Sequence, residues 1–266
     1  MAVYAAQIDR MDQGIGRIMA KLREAGAAEN TLVVFLSDNG GCAELLHEDG
    51  RQGDREWRTT RDGRPVRFGN VPGLAPGGPT TYQSYDLPWA NASNTPFRLY
   101  KHWVHEGGIA TPLIAHWPAV VRQGRIDHSV VHVIDFMATF LDAAGLPYPR
   151  EREAGPVQPL EGESFLPALH RKAWERQRPL FWEHEGNCAV RDGRWKLVCR
   201  HPGDWELYDM VEDRTELHDL APVNRPRVRT LAKLHAEWAA RCGVLPWDQV
   251  LALPRLPAAP PTGAAR

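Results

Sequence analysis

The sequence has few cysteines, no charge surplus and no long apolar run, and each absence excludes a class of protein. Four cysteines in 266 residues, with no C-x-x-C pair among them, exclude a disulfide-built scaffold. The 32 Lys and Arg against 33 Asp and Glu leave a net charge of -1, whereas a domain that binds duplex nucleic acid needs a basic surplus. No apolar run approaches the roughly 20 residues of a membrane-spanning helix. We therefore expect neither nucleic acid nor a membrane as a partner.

The composition is that of a folded, globular chain. Hydrophobic residues make up 43% of the sequence and charged residues 24%, close to globular averages, which excludes disorder of the whole chain. The length fits one large domain or two smaller ones. The N-terminus is amphipathic and carries charge at Asp9 and Arg10, unlike a signal peptide. As it stands, the chain would be cytoplasmic, although its location stays open.

The first half of the sequence has the helix and strand alternation of an α/β fold. A first amphipathic helix is predicted by apolar residues at spacings of three and four, namely Ile8, Met11, Ile15, Ile18 and Leu22. Gly26 follows as its stop. The run TLVVFL at 31–36 predicts a strand covered on both faces, as in a parallel or mixed sheet. A second strand is predicted at 111–116, followed by a helix with Ile134, Met137, Leu141 and Ala144 on its apolar face.

Residues 42–94 show no helical period and are rich in Gly, Pro, Arg and Asp, so we predict a long loop there. Loops of about 50 residues are uncommon unless they carry function. The aromatic residues of this stretch are candidates for substrate selectivity, or they tether the loop: Trp57, Phe68, Tyr82, Tyr85 and Trp89.

The second half has the pattern of a small antiparallel sheet. Asp192-Gly193 between two apolar runs predicts a hairpin, across which Cys188 and Cys199 would face each other. Helical spacing predicts a last helix at about 225–242. We therefore predict an α/β fold with a mixed sheet flanked by helices over 1–160. A small antiparallel sheet with a helix would follow over 161–250, and a flexible tail over 251–266.

The sequence Ser37-Asp38-Asn39-Gly40-Gly41 directly follows the first predicted strand. Ligands of α/β sheets collect outside the carboxyl ends of strands. Asp38 and Asn39 offer one charged and one neutral oxygen, ligands that Ca²⁺ and Mg²⁺ prefer. The same residues also suit a plain turn that closes the strand.

A second polar segment, YKHWVHEGG at 100–108, precedes the second predicted strand. Lys101 is a compact cation suited to hold an anionic oxygen such as that of sulfate or phosphate. The alternative is a solvated charged loop anchored by Trp103. The spacing of His102 and His105 matches no usual zinc signature.

Taken together, these segments resemble the sulfatase family, arylsulfatases in particular. YAAQIDRMDQGIGRIMAKLREAGAAENTLVVFLSDNGG resembles the helix and strand that lead to D-N-G in sulfatases. WANASNTPFRLYKHWVHEGGIATPLIAHWP resembles the arylsulfatase segment with a sulfate-binding lysine before E-G-G-I, and LYDMVEDRTELHDLA matches a later family signature. The resemblance covers about residues 3–245. It implies an alkaline-phosphatase-like fold and a sulfuric ester hydrolase.

The resemblance assigns three site residues. Asp38 and Asn39 match the pair that ligates a divalent cation, usually Ca²⁺, and Lys101 matches the lysine that contacts the sulfate group. His102 and His105 receive no role from it and are expected to be surface or structural residues. The expected ligand is a small-molecule sulfate ester.

The sequence departs from the family at the nucleophile. Sulfatases convert the Cys or Ser of C-x-P/A-x-R or S-x-P-x-R to formylglycine, and no Cys or Ser of this sequence stands in such a motif. We therefore expect the C-terminal part of an arylsulfatase, inactive alone, with a missing N-terminal half as its partner. The alternatives are a phosphodiesterase or phosphonate hydrolase of the same superfamily, and a non-catalytic remnant that acts as a binding module.

Overall fold

The computed structural model describes residues 1–48, 59–152 and 155–254. Within these ranges the helices are α1 (Ala2–Glu24), α2 (Asp86–Asn94), α3 (Glu106–Ile109), α4 (Asp135–Ala144), α5 (Leu166–Leu169), α6 (Arg225–Cys242) and α7 (Trp247–Ala252). The strands are β1 (Val33–Leu36), β2 (Arg67–Phe68), β3 (Thr81–Tyr82), β4 (Leu113–His116), β5 (Glu151–Arg152), β6 (Gly155–Pro156), β7 (Leu180–His184), β8 (Asn187–Asp192), β9 (Trp195–Cys199) and β10 (Trp205–Asp209). None of these helices is long and apolar enough to cross a membrane.

The predicted α/β fold class is confirmed. β1 pairs antiparallel with β4, β2 pairs parallel with β3, and β7 to β10 form one antiparallel sheet in the order β10-β9-β8-β7. Trp57 and the predicted tail beyond residue 254 lie outside the described residues. The first two residues of that predicted tail, 251 and 252, belong to α7.

The helix and strand at the start of the chain form where their apolar patterns predict them. α1 ends at Glu24, and Gly26 follows with a φ of +67°, a conformation that glycine adopts without strain. The prediction that β1 is covered on both faces is wrong for the described residues. There β4 is the one strand that pairs with β1, and the opposed side chains of Phe35 and Ile114 remain 40% and 60% exposed.

The predicted loop at 42–94 contains regular structure in its second part. β2 and β3 pair over two residues each, and the rings of Phe68 and Tyr82 stack with centroids 5.0 Å apart. The prediction of a loop is wrong for 86–94, which form α2. Because α2 buries only Ala90 among its nine residues, its sequence lacks the apolar period that reveals a helix.

The C-terminal sheet and its helix form as predicted. The β8–β9 hairpin turns directly after Asp192, with Gly193 at a φ of +55°. α6 spans 225–242, as predicted, and is followed by the capping residue Gly243 in the left-handed conformation. Its Leu231 packs on three fully buried residues of the sheet, Val190, Leu197 and Leu207.

Cys188 and Cys199 are register partners on β8 and β9, so the prediction that they face each other is confirmed. Both thiols are free. Burial raises the pKa of Cys188 to about 11, so this thiol is protonated at neutral pH.

Candidate functional site

The turn that carries Asp38 and Asn39 lies against the glycine pair before β4. Asp38 is exposed and Asn39 is half-buried. The Gly40 N–H donates to the carbonyl oxygen of Gly108 over 2.9 Å. A Cβ at Gly40 would lie 1.8 Å from the carbonyl oxygen of Gly107, so the approach of the two backbones requires glycine.

Lys101 lies next to the same turn. Its backbone N–H donates to the carbonyl oxygen of Gly41 over 3.0 Å, which brings together two segments that are 60 residues apart in the sequence. The Lys101 side chain is half-exposed, and its Nζ lies 3.7 Å from Oε1 of Glu44. An ion pair of this exposure and length contributes little, so the ammonium group is available to an anion from solvent.

Asn94, the last residue of α2, holds these segments in place. Its Oδ1 accepts the N–H of Gly41 over 2.8 Å. Its Nδ2 donates to the carbonyl oxygens of Leu99 and Gly107 over 2.9 and 2.8 Å. Asn94 could not be predicted from the sequence, because α2 falls in the predicted loop. A polar residue in a loop gives no indication of which distant residues it will bond to.

A buried ionic cluster lies under the E-G-G-I segment. Nζ of Lys196 on β9 lies 2.9 Å from Oε1 of Glu106 and 2.7 Å from Oε1 of Glu216, and all three side chains are at most 3% exposed. Glu216 also accepts the backbone N–H of Glu106 over 2.8 Å. Burial would raise the pKa of Glu106, but the charge and hydrogen bond of Lys196, together with the charges of Arg191 and Arg214, outweigh it and lower that pKa.

Sequence reasoning missed the site roles of Lys196 and Glu216, although each had a signal. Lys196 interrupts the apolar run of β9, and Glu216 is the second glutamate of the LYDMVEDRTELHDLA signature. A lysine in a buried strand needs a carboxylate partner. What the sequence could not indicate is that Glu106 is one of its two partners.

Glu206 on β10 forms a second connection between the same parts of the chain. Its Oε2 accepts from Nη2 of Arg98 over 3.0 Å, lies 3.2 Å from Nε2 of His105, and accepts the hydroxyl of Tyr208. The hydrogen bonds with His105 and Tyr208 and the charge of Arg98 lower the pKa of Glu206 to about 2. His105 is fully buried, so its predicted structural role agrees with its position.

The aromatic residues of the predicted loop lie in different surroundings. Tyr85 stacks on Tyr4 of α1 with centroids 4.9 Å apart, as expected of a residue that tethers the loop. Trp89 on α2 is 46% exposed, and Tyr82 on β3 is 43% exposed. Trp57 lies outside the described residues.

Comparison with known proteins identifies the family to which the chain belongs. The family model described as Sulfatase matches residues 1–146, and the model described as N-sulphoglucosamine sulphohydrolase, C-terminal, matches residues 97–239. The chain belongs to the sulfatase family, a family of sulfuric ester hydrolases that are generally metal-dependent. The predicted sulfatase resemblance is therefore confirmed.

Individual relatives agree with this assignment. An uncharacterised sulfatase of Schizosaccharomyces pombe is 30% identical over 92% of this chain and 44% of its own length. The arylsulfatase of Klebsiella aerogenes is 34% identical over 64% of this chain and 36% of its own length. The crystal structure of Ps i-CgsB in complex with k-i-k-neocarrahexaose shares the fold, with a TM-score of 0.64 at 21% identity over 95% of this chain and 48% of that one. The chain thus spans less than half the length of each.

Proposed function

We propose that this chain is part of an arylsulfatase-type hydrolase of sulfate monoesters, in which Asp38 and Asn39 bind Ca²⁺ and Lys101 binds the sulfate group. The contact between the strand-tip turn and the Lys101 segment supports this proposal more than any other observation. The bond from the Lys101 N–H to the Gly41 carbonyl oxygen, and the bonds of Asn94 to Gly41 and Gly107, hold the turn of Asp38 and Asn39 against the segment of Lys101, as this proposal requires.

The donor atoms of Asp38 and Asn39 fit a hard divalent cation. A carboxylate and an amide supply oxygen ligands, which Ca²⁺ prefers. The two glycines that follow add no side chain to the space around these donors. Because Ca²⁺ takes about six to eight oxygens, Asp38 and Asn39 supply part of its coordination shell and the isolated chain should bind it weakly. When bound, such a cation withdraws charge from the oxygens of the transferring group.

Lys101 would stabilise negative charge on the sulfuryl oxygens. The backbone that carries this ammonium group is fixed by the bond from the Lys101 N–H to the Gly41 carbonyl oxygen and, two residues earlier, by the bond from Asn94 to the carbonyl oxygen of Leu99. A cation placed in advance where charge accumulates lowers the barrier without reorganisation at the moment of reaction. The competing carboxylate of Glu44 is exposed and can move away.

The 266 residues offer no cysteine or serine in a formylglycine motif. The contribution of this chain is therefore the binding of cation and sulfate, and we expect no turnover of an aryl sulfate by the purified chain. Rapid, metal-dependent hydrolysis of 4-nitrophenyl sulfate by the purified chain would contradict this expectation about the nucleophile.

The test of the proposed function measures binding by calorimetry. The chain is titrated with Ca²⁺ and then, in excess Ca²⁺, with inorganic sulfate. We expect Lys101→Ala to weaken sulfate binding about tenfold or more, since a charged hydrogen bond contributes about 1.5–3 kcal/mol. Asp38→Ala should weaken Ca²⁺ binding. Lys233→Ala is the matched control, because Lys233 also forms an exposed 3.7 Å ion pair with a glutamate, Glu237.

The same experiment separates the alternatives. A phosphodiesterase or phosphonate hydrolase should prefer phosphate to sulfate, and its cation site at Asp38 should prefer Zn²⁺ or Mn²⁺ to Ca²⁺. In a non-catalytic binding module, replacing Lys101 or Asp38 should leave the affinities for Ca²⁺ and for sulfate unchanged. Either result would overturn the proposal.

A further inference from the structure

Three potential metal ligands from distant parts of the sequence meet on the surface beside Lys101. Nδ1 of His102 lies 2.9 Å from Oε2 of Glu185, and the rings of His102 and His184 have centroids 5.4 Å apart. One ligand atom from each of the three residues lies within 4.8 Å of the other two. We propose that His102, His184 and Glu185 form a site for a transition-metal ion, of which Zn²⁺ is the natural occupant.

The fold holds the three donors at fixed positions. His184 ends β7, and Glu185 and Gly186 form the two-residue turn to β8, with φ angles of +52° and +83°. Positive φ at both central residues is the tight hairpin turn that fits the twist of antiparallel strands. The buried side chain of Asn187 closes this turn by donating to the carbonyl oxygen of His184 over 2.9 Å. The two donors of the hairpin therefore stand on a short, rigid connection.

His102 is oriented from the other side. Its ring meets the edge of Trp103 at 5.0 Å between centroids, and its Nε2 lies 3.4 Å from Nδ2 of Asn187. Because that amide nitrogen is a donor, Nε2 acts as the acceptor and the ring proton stands on Nδ1, facing Glu185. A metal ion would take the place of this proton between His102 and Glu185. The proton would then move to Nε2 at the expense of the Asn187 contact, so we expect micromolar rather than tighter binding.

The distances suit zinc after side-chain adjustments. Zn–N and Zn–O bonds of about 2.0–2.2 Å at tetrahedral angles place each pair of donor atoms about 3.4 Å apart. The observed 2.9 Å between His102 and Glu185 must open by about half an ångström, which the 41% and 45% exposed side chains allow. The donors lie within 4.8 Å of one another, so the pairs with His184 must close by up to about 1.4 Å, which exposed side chains can do by rotation. Three protein ligands leave the fourth position to water.

The chemistry of the donors separates this site from the one at Asp38. Two of the three ligands are imidazoles, borderline donors that favour Zn²⁺, Co²⁺, Ni²⁺ or Cu²⁺, whereas Ca²⁺ needs oxygen ligands throughout. The proposed zinc site and the proposed Ca²⁺ site therefore favour different metals, and they share no residue.

The test is calorimetric titration of the whole chain, stripped with EDTA, with ZnCl₂, together with the visible absorption spectrum of the Co²⁺ form. We expect one Zn²⁺ per chain and the spectrum of tetrahedral Co²⁺. His184→Ala and the conservative Glu185→Gln should each weaken binding by about tenfold or more. His218→Ala is the matched control, because His218 also pairs with a carboxylate, that of Asp213 at 3.5 Å, and is 80% exposed.

The result is independent of the proposed function. Asp38→Ala should leave Zn²⁺ binding unchanged while it weakens Ca²⁺ binding. No binding at 0.1 mM Zn²⁺, binding that survives Glu185→Gln in a chain with an unchanged circular dichroism spectrum, or equal loss in His218→Ala would each overturn the zinc site.

Discussion

Lys196 is a fully buried cation between two buried carboxylates, those of Glu106 and Glu216, and Arg214 supplies a second positive charge 3.5 Å from Glu106. Such a cluster adds little compared with a well-packed apolar core, since removing charges from water is costly. Replacing one charged residue of the cluster is destabilising, because the charges that remain lose a partner inside the protein. The cluster therefore makes the position of the E-G-G-I segment dependent on β9 and on the loop after β10.

The first prediction concerns Lys196→Met, which keeps most of the length of the side chain and removes its charge. We expect the free energy of unfolding to fall by about 3–5 kcal/mol, because the carboxylate of Glu216 loses its buried counter-charge and that of Glu106 retains the longer, 3.5 Å pair with Arg214. Urea unfolding followed by circular dichroism measures this change. Lys233→Met removes an exposed ion pair and should change stability by less than about 0.5 kcal/mol. A loss for Lys196→Met as small as for this control would contradict the structural role of the cluster.

The second prediction concerns Glu206, whose pKa is about 2 in the folded protein against an ordinary 4.5. Since the folded pKa is the lower one, the stabilisation by this carboxylate is complete above pH 4.5 and is lost as the pH falls towards 2. Glu206→Gln should therefore show a smaller decrease of stability than the parent chain over this range. The check is urea unfolding at several pH values, and parallel curves for the two proteins would show that another group causes the decrease.

At the scale of secondary-structure elements, the candidate site depends on glycines where two backbones touch. β1 and β4 pair side by side, and the turn after β1 meets α3, the helix before β4, through the N–H of Gly40 and the carbonyl oxygen of Gly108. α2 is joined to both by Asn94. The cation and anion segments are thus positioned by short elements rather than by a large core.

The third prediction compares two glycines. Gly40→Ala places a Cβ 1.8 Å from a carbonyl oxygen, so we expect a loss of about 1–3 kcal/mol of stability together with weaker binding of Ca²⁺ and sulfate. Gly16 lies inside α1 with nothing within 4 Å of an added Cβ. Gly16→Ala should therefore raise stability by about 0.5–1 kcal/mol and leave both ligands unaffected. Thermal unfolding and calorimetry measure the two effects, and normal ligand binding by Gly40→Ala would contradict the proposed site.

At the scale of the whole molecule, apolar side chains are exposed on the first helix and strands. α1 has no buried residue, and Ile18 on its apolar stripe is 63% exposed. Phe35 and Ile114 face each other across β1 and β4 and are 40% and 60% exposed. Contiguous exposed apolar surface promotes association, and a two-stranded sheet leaves edges open to pairing.

The fourth prediction is that the 266-residue chain self-associates in solution. Light scattering after size-exclusion chromatography should show masses above 29.9 kDa that increase with concentration. The double variant Ile18→Glu/Ile114→Glu should shift the chain towards the monomer. Val223→Glu is the control, since Val223 is 81% exposed in the segment before α6. A monomeric parent chain at high concentration would refute the prediction.

Much of the fold followed from local sequence patterns. The apolar period placed α6 at 225–242, and Asp192-Gly193 placed the β8–β9 hairpin, because both signals act over a few residues. The motifs around Asp38 and Lys101 led to the sulfatase family for the same reason. α2 was missed because its nine residues are held by hydrogen bonds to other segments rather than by an apolar face of their own.

The sequence by itself determined the elements that have a periodic apolar pattern, the family and the candidate residues, since periodicity, turn residues and motifs are local properties of the chain. Only the tertiary structure decided which of them meet. Asn94 reaches Gly41, Lys196 reaches Glu106, and His102 reaches Glu185 across 53, 90 and 83 positions. Contacts over such separations depend on how the elements pack, and a single sequence carries no local trace of that packing.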